Sequence, residues 1–425
     1  MRTLLLALFV VLISVATVTA QDQVTGVAES SGASQSQSAS AGLLPEPRVI
    51  AKGVEFASRW RSGADGEGAT GADGFYPELG NMISGAGWIS AGPGYRRQLA
   101  NGHVLVDGSA AVSWHTYKVA QGRFELTNLA RNHVTVGSQV RWQDLTQVNY
   151  FGVGSDSLEA SRSQYRLKST DVVGYAVARP NEWLSVVGRF GWIHQPTLSA
   201  PRGWFDGGYP DARQVFGRDP GMSHQPNFLH GDTSVIADFR DNPGHPVTGG
   251  LYSAGFAVYS DRDDHRSSFQ RYEVEGLQFV PVAGPRWVIG LHGSGVFSRT
   301  DDTNQVPFYM LPSLGGRDTL RGYYDYRFHD GHLLVASAES RWAVFRDVDA
   351  AAFFDAGNVA RRAGDLDLKK TSYGAGVRVH TRTSTLARFD VGRSRSEGWR
   401  VFFSLHDPFG LARLSRRTAV IPFVP

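Results

Sequence analysis

The chain has 425 residues, with 43 Lys+Arg against 40 Asp+Glu, and the net charge of +3 gives no pull toward nucleic acid. There is no cysteine, which excludes disulfides and thiolate metal sites. With 49 Gly, 24 Phe, 15 Tyr and 10 Trp, the composition speaks against a helical bundle and for many strands joined by turns.

In chain order, Arg2 precedes an apolar run from Leu4 to Val18, and Val18-Thr-Ala20 supplies small residues before Gln21. This is the pattern of a secretory signal peptide, so residues 1–20 are expected to be removed on export. Residues 21–75 read as a low-complexity, mostly disordered segment. The Ser/Gly/Ala/Gln stretch over 30–42 and the Gly/Asp/Ala stretch over 61–74 offer too little apolar surface to order themselves. Between them, Arg48 to Phe56 is the one place for a short element inside or beneath the main domain. No later run approaches the ~18 consecutive apolar residues of a membrane helix.

From about Met82 to about Asp407 the pattern is period two, the spacing of half-buried strands. In Ser372 to His380, Tyr373, Ala375, Val377 and Val379 oppose Ser372, Gly374, Gly376, Arg378 and His380. In Ala387 to Gly392, Ala387, Phe389 and Val391 oppose Arg388 and Asp390. In Trp399 to His406, Trp399, Val401, Phe403 and Leu405 oppose Arg400, Ser404 and His406. Earlier segments repeat the scheme, as with Val235, Ala237 and Phe239 against Ser234, Asp238 and Arg240. A soluble sandwich also alternates, but here the polar face repeatedly carries full charges and glycines, and aromatics sit near segment ends. Those are the marks of a transmembrane β-barrel with a wet interior and a lipid-facing exterior. In hydrocarbon no backbone polar group can go unpaired, so the strands are expected to close. About fifteen candidate strands can be marked, and an even number is expected, which gives 16. The fold expected is all-β: a closed antiparallel transmembrane β-barrel over residues 76–409, followed by a basic tail over 410–425.

Four motifs carry a family resemblance. Leu320-Arg-Gly-Tyr323, preceded by Leu314-Gly-Gly316, resembles the Val-Arg-Gly-Phe/Tyr signature of the BamA/TamA superfamily, the bacterial surface antigen barrels. Phe353-Phe-Asp-Ala-Gly357 is similar to its Phe-x-Asp-x-Gly strand. Asp238 to Pro246, with Arg240, Asp241, Asn242 and Pro243, resembles its Asp-x-Arg-Asn-Pro strand end and turn, and Tyr150 to Ser155 resembles a further segment. The resemblance implies a 16-stranded outer-membrane barrel whose long Arg-Gly-Tyr loop folds back into the lumen. It implies a latch of Arg321, Gly322 and Tyr323 on Asp355 and Gly357. Alternation places Asp355 and Gly357 opposite Phe354 and Ala356, and puts Glu339 and Arg341 on one face of the preceding segment. Arg378, Arg388 and Asp390 are expected to face the lumen with them.

Family members that insert or secrete proteins carry periplasmic POTRA modules, and residues 21–75 are too short and glycine-rich to supply a usual one. The function expected is insertion or translocation of polypeptide or lipid at the bacterial outer membrane. Outer-membrane lipid and a separate periplasmic protein are the candidate partners, nucleic acid is not, and the barrel is expected to be a monomer. A small-solute channel and a mainly structural surface antigen are the alternatives. No enzyme is expected: there is no Gly-x-Ser-x-Gly elbow, no His-Glu-x-x-His and no phosphate loop. No catalytic residue, cofactor or metal ligand is assigned, and Asp261-Arg-Asp-Asp-His265 reads as a solvated charged loop.

Overall fold

The computed structural model describes residues 42–52, 54–55, 73–79, 89–203, 208–381 and 384–405. The expected signal peptide, most of the low-complexity segment and the tail over 410–425 lie outside the described residues.

One antiparallel sheet dominates. Its strands are β1 (Gly74–Leu79), β2 (Ser90–Leu99), β3 (Val104–Ser113), β4 (Lys118–Leu129), β5 (Val134–Tyr150), β6 (Ser163–Ala178), β7 (Leu184–Ser199) and β8 (Phe228–Asp238). They continue through β9 (Gly249–Asp261), β10 (Phe269–Pro281), β11 (Trp287–Arg299), β14 (His332–Phe345), β15 (Val348–Ala360), β16 (Lys370–His380), β17 (Thr385–Ser394) and β18 (Gly398–Ser404). All sixteen pair with their neighbours in chain order, a meander. Inside the long β11–β14 connection, β12 (Ser313–Leu314) and β13 (Phe328–His329) form a small hairpin. No pairing joins β1 to β18 among the described residues.

The connections are uneven. Short turns join β2 to β3, β4 to β5, β14 to β15 and β16 to β17 at one end of the sheet. The longer segments 151–162, 200–227, 300–331 and 361–369 lie at the other end. β1 precedes the region where alternation becomes visible, because Gly74-Phe-Tyr-Pro-Glu-Leu79 and the Gly92-Pro-Gly94 it pairs with carry few apolar side chains to count. Residues 48–52 form a helical turn beneath the strand ends, where the Leu43 and Leu44 amides donate to the Ala343 and Val344 carbonyls at 2.9 Å.

Burial on this sheet is inverted. Along β17, Arg388 and Asp390 are 1% and 0% exposed, while Phe389 between them is 46% exposed. On β16 Arg378 is buried and Tyr373 and Val377 are exposed; on β18 Trp399 and Val401 are exposed. Phe190, Val235, Phe256 and Tyr272 repeat this on earlier strands. The charged face is therefore the covered one and the apolar face is bare, opposite to a water-soluble sheet.

What covers the charged face is mainly the segment 300–331. Phe308, Tyr309, Met310 and Leu311 pack with Tyr150, Tyr165, Phe228 and Tyr259 from β5, β6, β8 and β9. Farther along, Leu314, Leu320, Tyr323 and Phe328 pack with Leu333, Val335 and Val359 on β14 and β15. The same segment reaches β18, where Arg317 donates to the Phe403 carbonyl at 3.3 Å. One connection touching β5 and β18 requires the sheet to curve around it.

Candidate functional site: an arginine loop on a charged wall

The loop 315–327 begins with Gly315 and Gly316 at φ 116° and 96°, a conformation that favours glycine. The Gly315 amide donates to Thr319 Oγ1 at 2.8 Å and the Tyr323 amide to the Leu320 carbonyl at 3.1 Å, so the tip is a compact turn. Leu320 and Tyr323 are buried in the apolar cluster, and Tyr323 meets Phe328 edge-on at 5.5 Å. Two apolar anchors flanking one arginine fix where that arginine points.

It points at β15. The Arg321 amide and Nε donate to Asp355 Oδ2 at 3.1 and 3.0 Å, and Nη2 donates to Oδ1 at 2.7 Å. Nη1 donates to Glu339 Oε2 at 2.5 Å. The guanidinium lies over the Phe353 ring, 3.6 Å from its centroid. Burial alone would disfavour the Arg321 charge, but Asp355 and Glu339 more than offset it and its pKa is raised. Ser372 Oγ adds a fourth donor to Asp355, at 3.2 Å.

The wall continues the pattern. Arg378 on β16 donates to Glu339 through Nε and Nη2 at 3.2 and 2.8 Å, and to Asp390 Oδ1 through Nη1 at 2.6 Å. Arg388 stands directly opposite Arg378 in the β16–β17 register. It lies 3.6 Å from Asp390 and returns to the loop, with Nη2 donating to the Arg317 carbonyl at 2.8 Å and to Asp318 Oδ1 at 2.9 Å. The charges thus run Asp355, Arg321, Glu339, Arg378, Asp390, Arg388, Asp318, beginning on the wall beneath the loop and ending on the loop itself. Each guanidinium touches carboxylates on two sides, the arrangement that a planar fork suits. Glycines make the room: a side chain at Gly376 would meet Arg378 Nη1 at 2.7 Å.

Gly322 and Gly357 also sit at close approaches. A Cβ at Gly322 would lie 2.6 Å from the Arg393 carbonyl carbon, and one at Gly357 would lie 2.7 Å from the Leu334 carbonyl oxygen. Arg321, Gly322, Tyr323, Asp355, Gly357, Glu339, Arg378, Arg388 and Asp390 are therefore brought together. Arg341 is not. It is on the Glu339 face, but Nη2 donates to the Pro246 carbonyl, below the charged circuit, because two residues along a strand shift it toward the short-turn end.

That carbonyl belongs to the β8–β9 turn. Arg240 donates to Asp238 through Nε and Nη2 at 2.8 and 2.7 Å, and through Nη1 to the Pro243 carbonyl at 3.2 Å. Asp241 Oδ1 accepts from the Val247 and Thr248 amides at 3.0 and 3.1 Å, and Asn242 Oδ1 from the Gly244 amide at 3.0 Å. These five residues shape one turn. Tyr150 to Ser155 does reach the loop region: the Gly154 amide donates to the His329 carbonyl at 2.7 Å. Asp261 caps its own loop, accepting from the amides of Asp263, Asp264, Arg266 and Ser267.

Three features were missed from the sequence. Arg317 donates its amide to Asp325 and its side chain to Phe403. Arg327 pairs with Glu397 and donates to the Ser157 hydroxyl and carbonyl, each at 2.8 Å. His245, Asp349 and His380 form a cluster at the short-turn end. The first two lie in the same arginine-rich loop as Arg321, which was the available signal; the third joins positions 104 and 31 apart and had none.

The Omp85 superfamily domain matches residues 210–397, a range that contains the β8–β9 turn, the loop and all of the wall residues. Among solved structures, BamA from Haemophilus ducreyi lacking POTRA domains 1-3 aligns with a TM-score of 0.58 at 14% identity, over 78% of this chain and 70% of that one. CdiB from Acinetobacter baumannii aligns at 0.47 and 12% identity, over 78% of this chain and 58% of its own. CdiB from Escherichia coli aligns at 0.49 and 13% identity, over 78% and 61%. No curated protein sequence matches the chain. The Omp85 superfamily domain model thus matches the second half of a sheet whose fold is similar to that of BamA.

Proposed function

We propose that the sheet closes into a transmembrane barrel in the bacterial outer membrane and aids the insertion or translocation of polypeptide there. The observation that carries this is the inverted burial of the sheet together with the loop held on its charged side. Bare Phe389, Trp399, Val401, Tyr373 and Phe190 on one face are stable against hydrocarbon and costly against water. Most of the strands have 10 to 17 residues, enough for the ~9–11 residues of a tilted membrane strand. The short edges β1 and β18 then need each other, since hydrocarbon offers no partner for their backbone groups. The Omp85 domain and the BamA-like fold support an insertion- or translocation-type role.

In this reading the circuit from Asp355 to Asp318 is a latch that keeps the loop in the lumen and fixes one conformation of the barrel. The protein works as a monomer, without catalytic chemistry, and takes its client from a separate periplasmic protein. The test is folding of a urea-denatured eight-stranded outer-membrane protein into phospholipid liposomes. Liposomes that contain this protein should accelerate it, and an unchanged rate sinks the insertion reading. Planar-bilayer recordings test the filled lumen: conductance should be low, and large steady pores would contradict it.

A further inference from the structure

The β8–β9 turn does more than join its strands. In sheet order β10, β11 and β14 separate β9 from β15, yet the turn passes these three strand ends and lands on β15, β16 and β17. The Thr385 amide and hydroxyl donate to the Gly244 carbonyl at 2.9 and 3.1 Å. His245 Nε2 lies 2.9 Å from Asp349 Oδ2, and its ring stacks on that of His380, with centroids 3.6 Å apart and planes 10° apart. His380 Nε2 lies 3.2 Å from Asp349 Oδ1.

The hydrogen-bond inventory at His380 does not close with protons of neutral imidazole. Its Nδ1 is 3.0 Å from the Thr381 carbonyl, and its Nε2 faces Asp349. Both neighbours are acceptors. A neutral imidazole has one N–H, so one of the two contacts would set lone pair against lone pair. The missing positive centre is either a second proton or a cation. A second proton on His380 would place an imidazolium face to face with His245. An N–H from Nδ1 to a main-chain carbonyl, with Nε2 left bare, is the usual posture of a metal-bound histidine. The three side chains each offer a ligand atom, all within 4.8 Å of one another, and all three are largely buried. The N···O separations, one to each Asp349 oxygen, are near the roughly 3.3 Å between ligand atoms of a tetrahedral ion with ~2.0 Å bonds, and binding opens the stacked rings from 3.6 Å to roughly 5 Å between centroids. Asp347 and Glu46 add negative charge around His380.

We propose that His245, Asp349 and His380 bind a divalent transition-metal ion of the zinc type, which pins the β8–β9 turn across the short-turn end of the sheet. Two imidazoles and a carboxylate suit such an ion, whereas calcium or magnesium would require more oxygen ligands. Three protein ligands hold the ion, water completes its tetrahedron, and its role is to tie a turn to strands it does not neighbour in the sheet.

The experiment uses full-length protein purified in detergent with an affinity tag free of histidine, stripped with chelator and then titrated with zinc. One zinc per chain should bind at micromolar or lower concentration and raise the unfolding temperature, and cobalt(II) should give the visible absorption of a tetrahedral site. His245→Ala and His380→Gln should each abolish stoichiometric binding. Asp349→Asn, which keeps hydrogen bonding to both rings, should fold and weaken zinc binding at least tenfold. Absence of stoichiometric binding, or binding that survives in all three variants, overturns the assignment. So does zinc-independent stability with a His380 NMR titration showing a simple imidazolium–carboxylate pair.

Discussion

Gly322 and Gly392 face each other with no room for a side chain between them. A Cβ on Gly392 would run into the Arg321 carbonyl, and one on Gly322 would run into the backbone of Arg393 and Ser394. The loop therefore rests main chain on main chain against β17, and only glycine on both sides lets Arg321 descend to Asp355. Gly392→Ala should lift the loop and cost about 1–3 kcal/mol, the range of overpacked cores. Thermal unfolding in detergent and protease cleavage within 315–327 are the measurements, and an unaltered cleavage pattern would contradict the close approach.

Arg321→Ala leaves Asp355 buried with Ser372 as its remaining side-chain donor and takes one of two guanidiniums from Glu339. A buried pair that loses one partner is destabilised by roughly 3–5 kcal/mol. The folded form should lose heat-modifiable migration on gels at a lower temperature than wild type. Arg321→Lys should fall between the two, since an ammonium keeps the charge but cannot make the bidentate contact.

Glu339 serves two arginines at once, so Glu339→Gln should cost at least as much as Arg321→Ala. Combining the two changes should cost less than their sum, because each removes the same contact. A double-mutant cycle by chemical unfolding measures this, and strict additivity would mean that the two residues do not couple.

His329 on β13 lies outside the sixteen-stranded sheet and is fully buried; burial pushes its imidazole down from an ordinary 6.5 to about 3. It stays neutral in the folded state while the unfolded chain takes up a proton below pH 6.5. The native form therefore keeps its full stability above about pH 6.5 and loses it progressively as pH falls toward 3. At pH 5 this amounts to about 2 kcal/mol. His329→Gln should flatten the fall in unfolding temperature between pH 7 and pH 5.

Asp241 holds the Val247 and Thr248 amides, and Asp241→Ala leaves both without that acceptor. A loss of about 1–3 kcal/mol is expected, with hydrogen exchange rising first at residues 244–248.

Strands were legible wherever side chains alternate in size and charge, as along Ser372 to His380 and Ala387 to Gly392, which lie within β16 and β17. β1 was not, because glycine and proline remove the very signal that alternation needs. For the site, alternation put Asp355 and Glu339 on particular faces, but which loop residue they meet is a matter of long-range folding; the resemblance of Leu320-Arg-Gly-Tyr323 supplied it. Arg341 was grouped with Glu339 because they share a face. Sharing a face says nothing of height along the strand, and height separates the loop from the turn. His245 carries no local signal at all, since its partners come from strands four and five places beyond β9 in the sheet.

The charged circuit starts on the wall and ends on the loop, and this divides its charges unequally. The wall alone contributes Asp355, Glu339 and Asp390 against Arg378 and Arg388, while Arg321 comes with the loop. Without the loop these five wall groups are left one charge acidic, with Asp355 and Glu339 each short of a guanidinium. The loop is thus the counter-ion of this stretch of wall, and moving it means separating Arg321 from two carboxylates at once.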